Sequence, residues 1–241
     1  MTKLRLDIWS DIACPWCYIG KRHLEQALAI FPHEVEIVWR AFELDPAAPK
    51  VRDLSQPYAE RIAKKYGVSA VQGQAMIDRV VAAGARAGLA FHYDQIKSGN
   101  TLDAHRLLHW ALEQGKQGEL KERLLRAYMT EGQAIGEPDV LVVLAAEVGL
   151  DAAEARRILD GDRYTAEVRS DERLAHELGI SGVPFFVMAN RIGVSGAQPP
   201  EALLDAMRQA WTESVAEPVA ASASPDGCED GVCHVTTSQL T

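Results

Sequence analysis

Four cysteines fall in two pairs at opposite ends of the 241-residue chain: Cys14-Pro15-Trp16-Cys17, and Cys228 with Cys233. A Cys-x-x-Cys string has several meanings, and its flanks decide between them. Leu4, Leu6 and Ile8 alternate with Arg5, Asp7 and Trp9, the period-two pattern of a strand. A polar stretch, Ser10-Asp11-Ile12-Ala13, leads to the cysteines; beyond them Leu24, Ala27, Leu28 and Phe31 recur at helical spacing until Pro32 breaks it. Pro15 falls at the first helical position, where a missing N–H costs nothing. Cys14 then lies at the mouth of a helix, before unpaired backbone N–H groups and the positive end of the macrodipole. A thiol has a pKa of about 8.5, and such settings lower it to roughly 3.5–7.5. The chemistry this suits is thiol–disulfide exchange. Cys14 is expected to be the exposed, acidic, attacking sulfur and Cys17 the buried resolving one, acting through a mixed disulfide.

A third element stands far downstream, where Val183-Pro184 precedes the apolar run Phe185-Phe186-Val187. X–Pro is the common site of cis peptide bonds, usually in tight turns, so Val183-Pro184 is expected to be cis. The strand that follows would be buried, with the Val183 backbone beside the cysteines, where a substrate chain can pair in β fashion. A trans proline opening an edge strand is the plainer alternative.

Composition narrows the class. With 241 residues, 47% of them apolar, the chain can build a sizeable core. Its net charge of −9 argues against nucleic acid as a partner, because phosphate binding needs a basic surface. No run of about 18 apolar residues is present, so no membrane span is expected. The start, Met1-Thr2-Lys3-Leu4-Arg5, lacks the apolar segment of a secretory signal. A cytoplasmic location follows as an expectation, and disulfides there are mostly catalytic or redox-sensing.

The elements that must position the cysteines follow from pattern. Val35 to Phe42 reads as a second strand. From Ser55 to about Leu178 the chain is helical in character, with apolar series at Leu102, Leu107, Leu108 and Leu112 and at Leu120, Leu124, Leu125 and Tyr128. Strands resume at Phe185, with Ile192 and Val194 returning across Asn190-Arg191, and Glu201 to Trp211 forms a last helix. The order is βαβ, a block of helices, then ββα. Within the block, His105 and His109 have ligand spacing but no accompanying carboxylate, so they read as packing residues. Lys64-Lys65 and Lys121-Glu122-Arg123 read as solvated faces. Zinc held by all four cysteines with His234 is disfavoured, since structural zinc sites use closely spaced knuckles.

Three strings carry a family likeness: 11–20 (DIACPWCYIG), 100–106 (NTLDAHR) and 179–187 (GISGVPFFV). With them the chain resembles the DsbA-like branch of the thioredoxin superfamily, in particular the cytoplasmic FrnE-type dithiol–disulfide isomerases. The resemblance implies an α/β thioredoxin fold split by a helical insertion, with 1–45 and 165–214 as the thioredoxin-like domain, 46–164 as the insertion and 215–241 as a flexible tail. It implies Cys14, Cys17 and Pro184 as catalytic residues, and Trp16, Val183 and Asn100 as substrate contacts. The FrnE-type pattern includes a C-terminal cysteine pair, so Cys228 and Cys233 are expected to form a second redox centre that exchanges with Cys14/Cys17. The implied partners are protein or small-thiol disulfides, with no cofactor beyond glutathione as a redox partner; oligomeric state is not readable. Trp16 between the cysteines implies a less oxidising couple than DsbA. The same split fold also carries glutathione-dependent isomerases and transferases, in which a Ser or similar residue usually stands at the Cys14 position. They form the second reading.

Overall fold

A computed structural model describes residues 3–50, 55–215 and, as backbone alone, 232–234. The chain divides into two compact units, one taking residues up to Phe42 and from Val168 onward, the other spanning Glu43–Glu167.

The first unit is built on a sheet of β1 (Leu4–Ser10), β2 (Val35–Ala41), β3 (Phe185–Met188), β4 (Ile192–Ser195) and a short β5 (Val232–His234), in the order β2-β1-β3-β4-β5. β1 runs parallel to β2 and antiparallel to β3, and β3, β4 and β5 are mutually antiparallel. The parallel pair needs a crossover, which α1 (Pro15–Leu28) supplies. Alternation along β1 puts Leu4, Leu6 and Ile8 on one face, where they meet Phe186, Met188, Ile192 and Val194. Leu24 and Ala27 of α1 cover this face together with Leu203, Met207 and Ala210 of α9 (Pro200–Val215). Each large side chain buried there contributes about 1.5–3 kcal/mol.

The other face carries Trp9 and Val187 against Ala175 and Ile180. Asp7 also points there and is buried. Its carboxylate accepts from Arg5 and Arg40, each at 2.8 Å. Arg40 reaches on to Asp171 at 3.0 Å; the second Asp171 oxygen accepts the Ala41 N–H at 2.9 Å, and the Trp9 indole donates to the Asp171 carbonyl at 2.9 Å. A lone buried charge would cost several kcal/mol. Here every charge is paired, and Asp171, in α8 (Thr165–Glu177), ties that helix to β1 and β2.

The β3–β4 hairpin turns at Ala189 and Asn190, with φ of 50° and 56°, and Arg191 N–H donates to Met188 O at 3.0 Å. This is the mirror-image two-residue turn that matches strand twist. The sequence reading centred it one residue later, on Asn190-Arg191, because Ala189 carries no mark of a left-handed residue. Within the tail, Val232, Cys233 and His234 stand opposite Val194, Gly193 and Ile192. Cys228 lies outside the described residues.

The second unit contains α2 (Tyr58–Tyr66), α3 (Ala70–Arg86), α4 (Leu102–Glu113), α5 (Gln117–Met129), α6 (Pro138–Glu147) and α7 (Ala152–Asp160). Local chemistry sets several ends. Ser69 and Gln72 form a reciprocal capping box at α3, and Asp151 caps α7 through the Glu154 N–H. The buried Arg106 guanidinium pairs with Asp103 at 2.8 Å and donates to the carbonyls of Gly161 at 2.7 Å and Arg163 at 2.8 Å, satisfying backbone at the end of α7. The face assigned to solvent at Lys121 and Arg123 is not solvated. Lys121 is fully buried, and Arg123 is covered and paired with Glu131 and Glu147. Lysine stems bury readily once their heads find partners, and a charge pattern does not reveal that partner.

Candidate active site

Helix α1 begins as its sequence dictates. Cys14 is the N-cap residue, in extended conformation (φ −94°, ψ 113°), Pro15 is the first helical residue, and no acidic side chain occupies the first turn. A tight turn delivers the chain to this point. The Cys14 N–H donates to Asp11 O at 3.3 Å, and the Ala13 N–H donates to Asp11 Oδ1 at 3.3 Å. Cys17 follows one turn on, its N–H donating to Cys14 O at 3.1 Å.

The proline loop meets this helix end. The Val183–Pro184 peptide bond is cis, and the Val183 carbonyl accepts from Cys14 Sγ at 3.4 Å. Pro184 is buried, and Gly196 N–H donates to its carbonyl at 2.8 Å. Gly20, which shares a face of α1 with Cys17, makes room for this loop. A Cβ there would stand 3.0 Å from Pro184 Cγ and 3.3 Å from Phe186 Cζ. Nothing local to Gly20 signals that role, because Gly20 and Pro184 are distant in the chain.

The expected exposed and acidic Cys14 is corrected on both counts. Cys14 is only 5% exposed and Cys17 1%, while Trp16 between them is 43% exposed. The Cys14 thiol is pushed well above its ordinary value, first by the hydrogen bond it shares with the Cys17 side chain, then by burial and by charge on Cys17. The Cys17 backbone N–H pulls the other way, and the Asp11 charge adds to the rise. Two sulfurs this close titrate as a coupled pair, and for Cys14 the balance of these influences favours the thiol.

Asn100 belongs to the second unit, and both ends of its amide are engaged. Oδ1 accepts the Leu102 N–H at 2.8 Å, capping α4 beside Thr101, and Nδ2 donates to Pro46 O at 3.3 Å. His105 is buried within α4. Cys233 is placed by its backbone opposite Gly193. Asp11, read from sequence as part of a polar lead-in, is 1% exposed and was missed as a site residue.

A helix-capping dithiol held against a cis-proline loop, on a βαβ–ββα sheet, defines a thioredoxin-type fold. Residues 5–208 match the DSBA-like thioredoxin domain, and the chain belongs to that family. A probable DsbA oxidoreductase from Streptomyces coelicolor is 43% identical, covering 97% of this chain and 99% of that one, with a TM-score of 0.82. A 2-hydroxychromene-2-carboxylate isomerase, 13% identical over 88% of this chain and 98% of that one, has a TM-score of 0.62. The cytosolic disulfide reductase DsbM from Pseudomonas aeruginosa, 19% identical over 88% and 100%, has a TM-score of 0.58. The last two show the fold alone.

Proposed function

We propose that this protein is a cytoplasmic dithiol–disulfide oxidoreductase and isomerase acting through Cys14 and Cys17. The observation that carries the reading is Cys14 Sγ, at the N-cap of α1, hydrogen-bonded to the Cys17 side chain and 3.4 Å from the Val183 carbonyl. As Cys14 Sγ attacks a substrate disulfide, the substrate S–S bond breaks, a Cys14–substrate disulfide forms, and the Cys14 proton goes to the leaving sulfur, which departs as a thiol. Cys17 Sγ then attacks Cys14 Sγ, closing the Cys14–Cys17 disulfide, and its proton goes to the second substrate sulfur, which is released as a thiol. Run backwards, the same steps oxidise a dithiol, and stopping at the mixed disulfide permits isomerisation. Substrates are protein or small-thiol disulfides, with glutathione as redox partner. Val183 offers backbone for pairing an extended substrate chain, and exposed Trp16 offers apolar surface beside the sulfurs.

Cys228 and Cys233 serve in this reading as a second redox centre. Val232 pairs with Val194, two residues before Gly196, whose N–H donates to the Pro184 carbonyl.

The fold shared with a 2-hydroxychromene-2-carboxylate isomerase keeps one alternative, glutathione-dependent small-molecule isomerisation or transfer. A second sulfur at Cys17, bonded to the first, has no function there. Reactivation of a scrambled-disulfide protein in glutathione buffer tests the choice. Wild type should restore activity and Cys14→Ser should not. If neither does, the alternative stands.

A further inference from the structure

Within the second unit, α2, α3 and the loop at 91–97 border a cavity of about 890 Å³. The exchange chemistry does not use it, and its volume is that of a small-molecule site. Close packing fixes its walls. At Gly73 of α3 a Cβ would stand 2.6 Å from Ala59 O of α2, and at Gly84 one would stand 2.6 Å from Phe91 Cε2. The loop is pinned to the end of α5. His92 N–H donates to Met129 O at 2.9 Å, the His92 ring donates to Thr130 O at 2.8 Å, and Thr130 Oγ1 donates to Ala90 O at 2.8 Å. The cavity therefore does not depend on a ligand to hold it open.

Rings and unspent charge line it. Tyr58 and Tyr93 meet edge to face with centroids 5.0 Å apart, and Phe91 meets Tyr93 at 6.4 Å. The Arg61 guanidinium lies over the Tyr58 ring, 4.8 Å from its centroid, and donates from Nη1 to the neutral Ser98 hydroxyl at 3.2 Å. Among the described residues no carboxylate pairs with Arg61, and its Nε is buried without an acceptor. Of the acids in the wall, Glu131 is committed to Arg123 at 2.8 Å and to Arg126 at 3.0 Å. Asp78 and Asp94 then balance Arg61 and Lys97.

We propose that this cavity binds a small monocarboxylate bearing an aromatic ring, with the carboxylate on Arg61 and the ring among Tyr58, Phe91 and Tyr93. A carboxylate matches the planar fork of a guanidinium and supplies the charged acceptor that Arg61 lacks. A flat ring extends the edge-to-face series already present. A phosphate, with its greater charge, would also face Asp78 and Asp94; a single negative charge suits a wall whose free charges cancel. Every lining residue belongs to the second unit, so the assignment does not rest on the exchange reading.

Isothermal titration calorimetry of the full chain with benzoate, phenylacetate and indoleacetate tests this. At least one acid should bind saturably with one site per chain. Phenylacetamide, which lacks the charge, and phenyl phosphate, which exceeds it, should bind more weakly than the acids. Arg61→Gln should weaken binding about tenfold or more, the scale of a hydrogen bond to a charged group. Tyr93→Leu, which keeps bulk and removes the ring, should weaken it about threefold or more. Circular dichroism and the urea midpoint should show both variants folded. If none of the three acids binds, or if both variants bind as wild type does, the proposal is overturned. Tighter binding of phenyl phosphate than of any acid overturns the choice of carboxylate. Should Arg61→Gln fail to fold, amide NMR of the wild type replaces it. Saturating acid should move the Tyr93, Gln95 and Gly132 resonances, and binding that leaves all three in place lies elsewhere and overturns the assignment.

Discussion

At the scale of single residues, the site depends on how two sulfurs share charge. Cys14 is held toward the thiol because the Cys17 side chain is hydrogen-bonded to it and Cys14 is buried. A thiol raised by folding links stability to pH in one direction. Below about pH 8.5 both folded and unfolded states hold the proton, and the contribution is complete. Above it the unfolded chain releases the proton while the folded one keeps it, so the stability is lost as pH rises toward the folded value. The reduced protein should therefore lose urea resistance between about pH 7 and pH 10, and Cys14→Ser should lose less across that range. Equal losses in the two proteins would show that Cys14 is not the titrating group. The identity and spacing of the cysteines were legible in the sequence. The burial of Cys17 was legible too; that of Cys14 was not, because the groups that cover it include Val183, remote in the chain.

Elements set the distances on which this chemistry depends. Helix α1 and the β3 approach meet at Gly20 and Pro184, where a Cβ on residue 20 would have 3.0 Å to Pro184 Cγ. A proline ring cannot swing aside as a long side chain can. Gly20→Ala gains up to about 1 kcal/mol of helix propensity, which offsets part of the crowding, so its stability should stay near wild type. Gly20→Val has no such latitude. It should shift the proline loop from Cys14 and reduce disulfide turnover by up to about a hundredfold, the scale of an ångström misplacement. Turnover measured beside helix content checks this, and full activity in a folded Gly20→Val protein would show that the contact does not position the loop. The strands β1 to β4, α1 and α9 were legible from local pattern, since their buried faces are continuous in sequence. The Asp7–Arg40–Asp171 network was not, because its members lie on three separate elements.

At the scale of the whole molecule, β5 brings three residues from the far end of the chain into the sheet of the first unit. β5 adds to the edge of β4, and an edge strand left open is a template for foreign chains. If Cys228 and Cys233 form a second redox centre, Cys228→Ser with Cys233→Ser should spare a single round of substrate reduction by the Cys14/Cys17 dithiol and slow repeated rounds. Stopped-flow for the first round and multiple-turnover assay for the rest separate the two. Unchanged repeated turnover would remove the tail from the cycle. Among the described residues no helix is long and apolar enough to cross a membrane.

By itself the sequence determined the Cys14–Cys17 turn, the helix that Pro15 opens, the alternating strands and the block of helices. All of these are written in patterns within a few neighbouring residues. Tertiary structure decided which of those groups are dry. It covered the sulfur expected to face solvent, buried Lys121 and Arg123, and placed Asp11 and Gly20 in the site. Local pattern places a side chain on a helix or strand; solvation and charge depend on what the distant chain packs against it. For Cys14, burial and the neighbouring charges outweigh the helix terminus that the local sequence advertises.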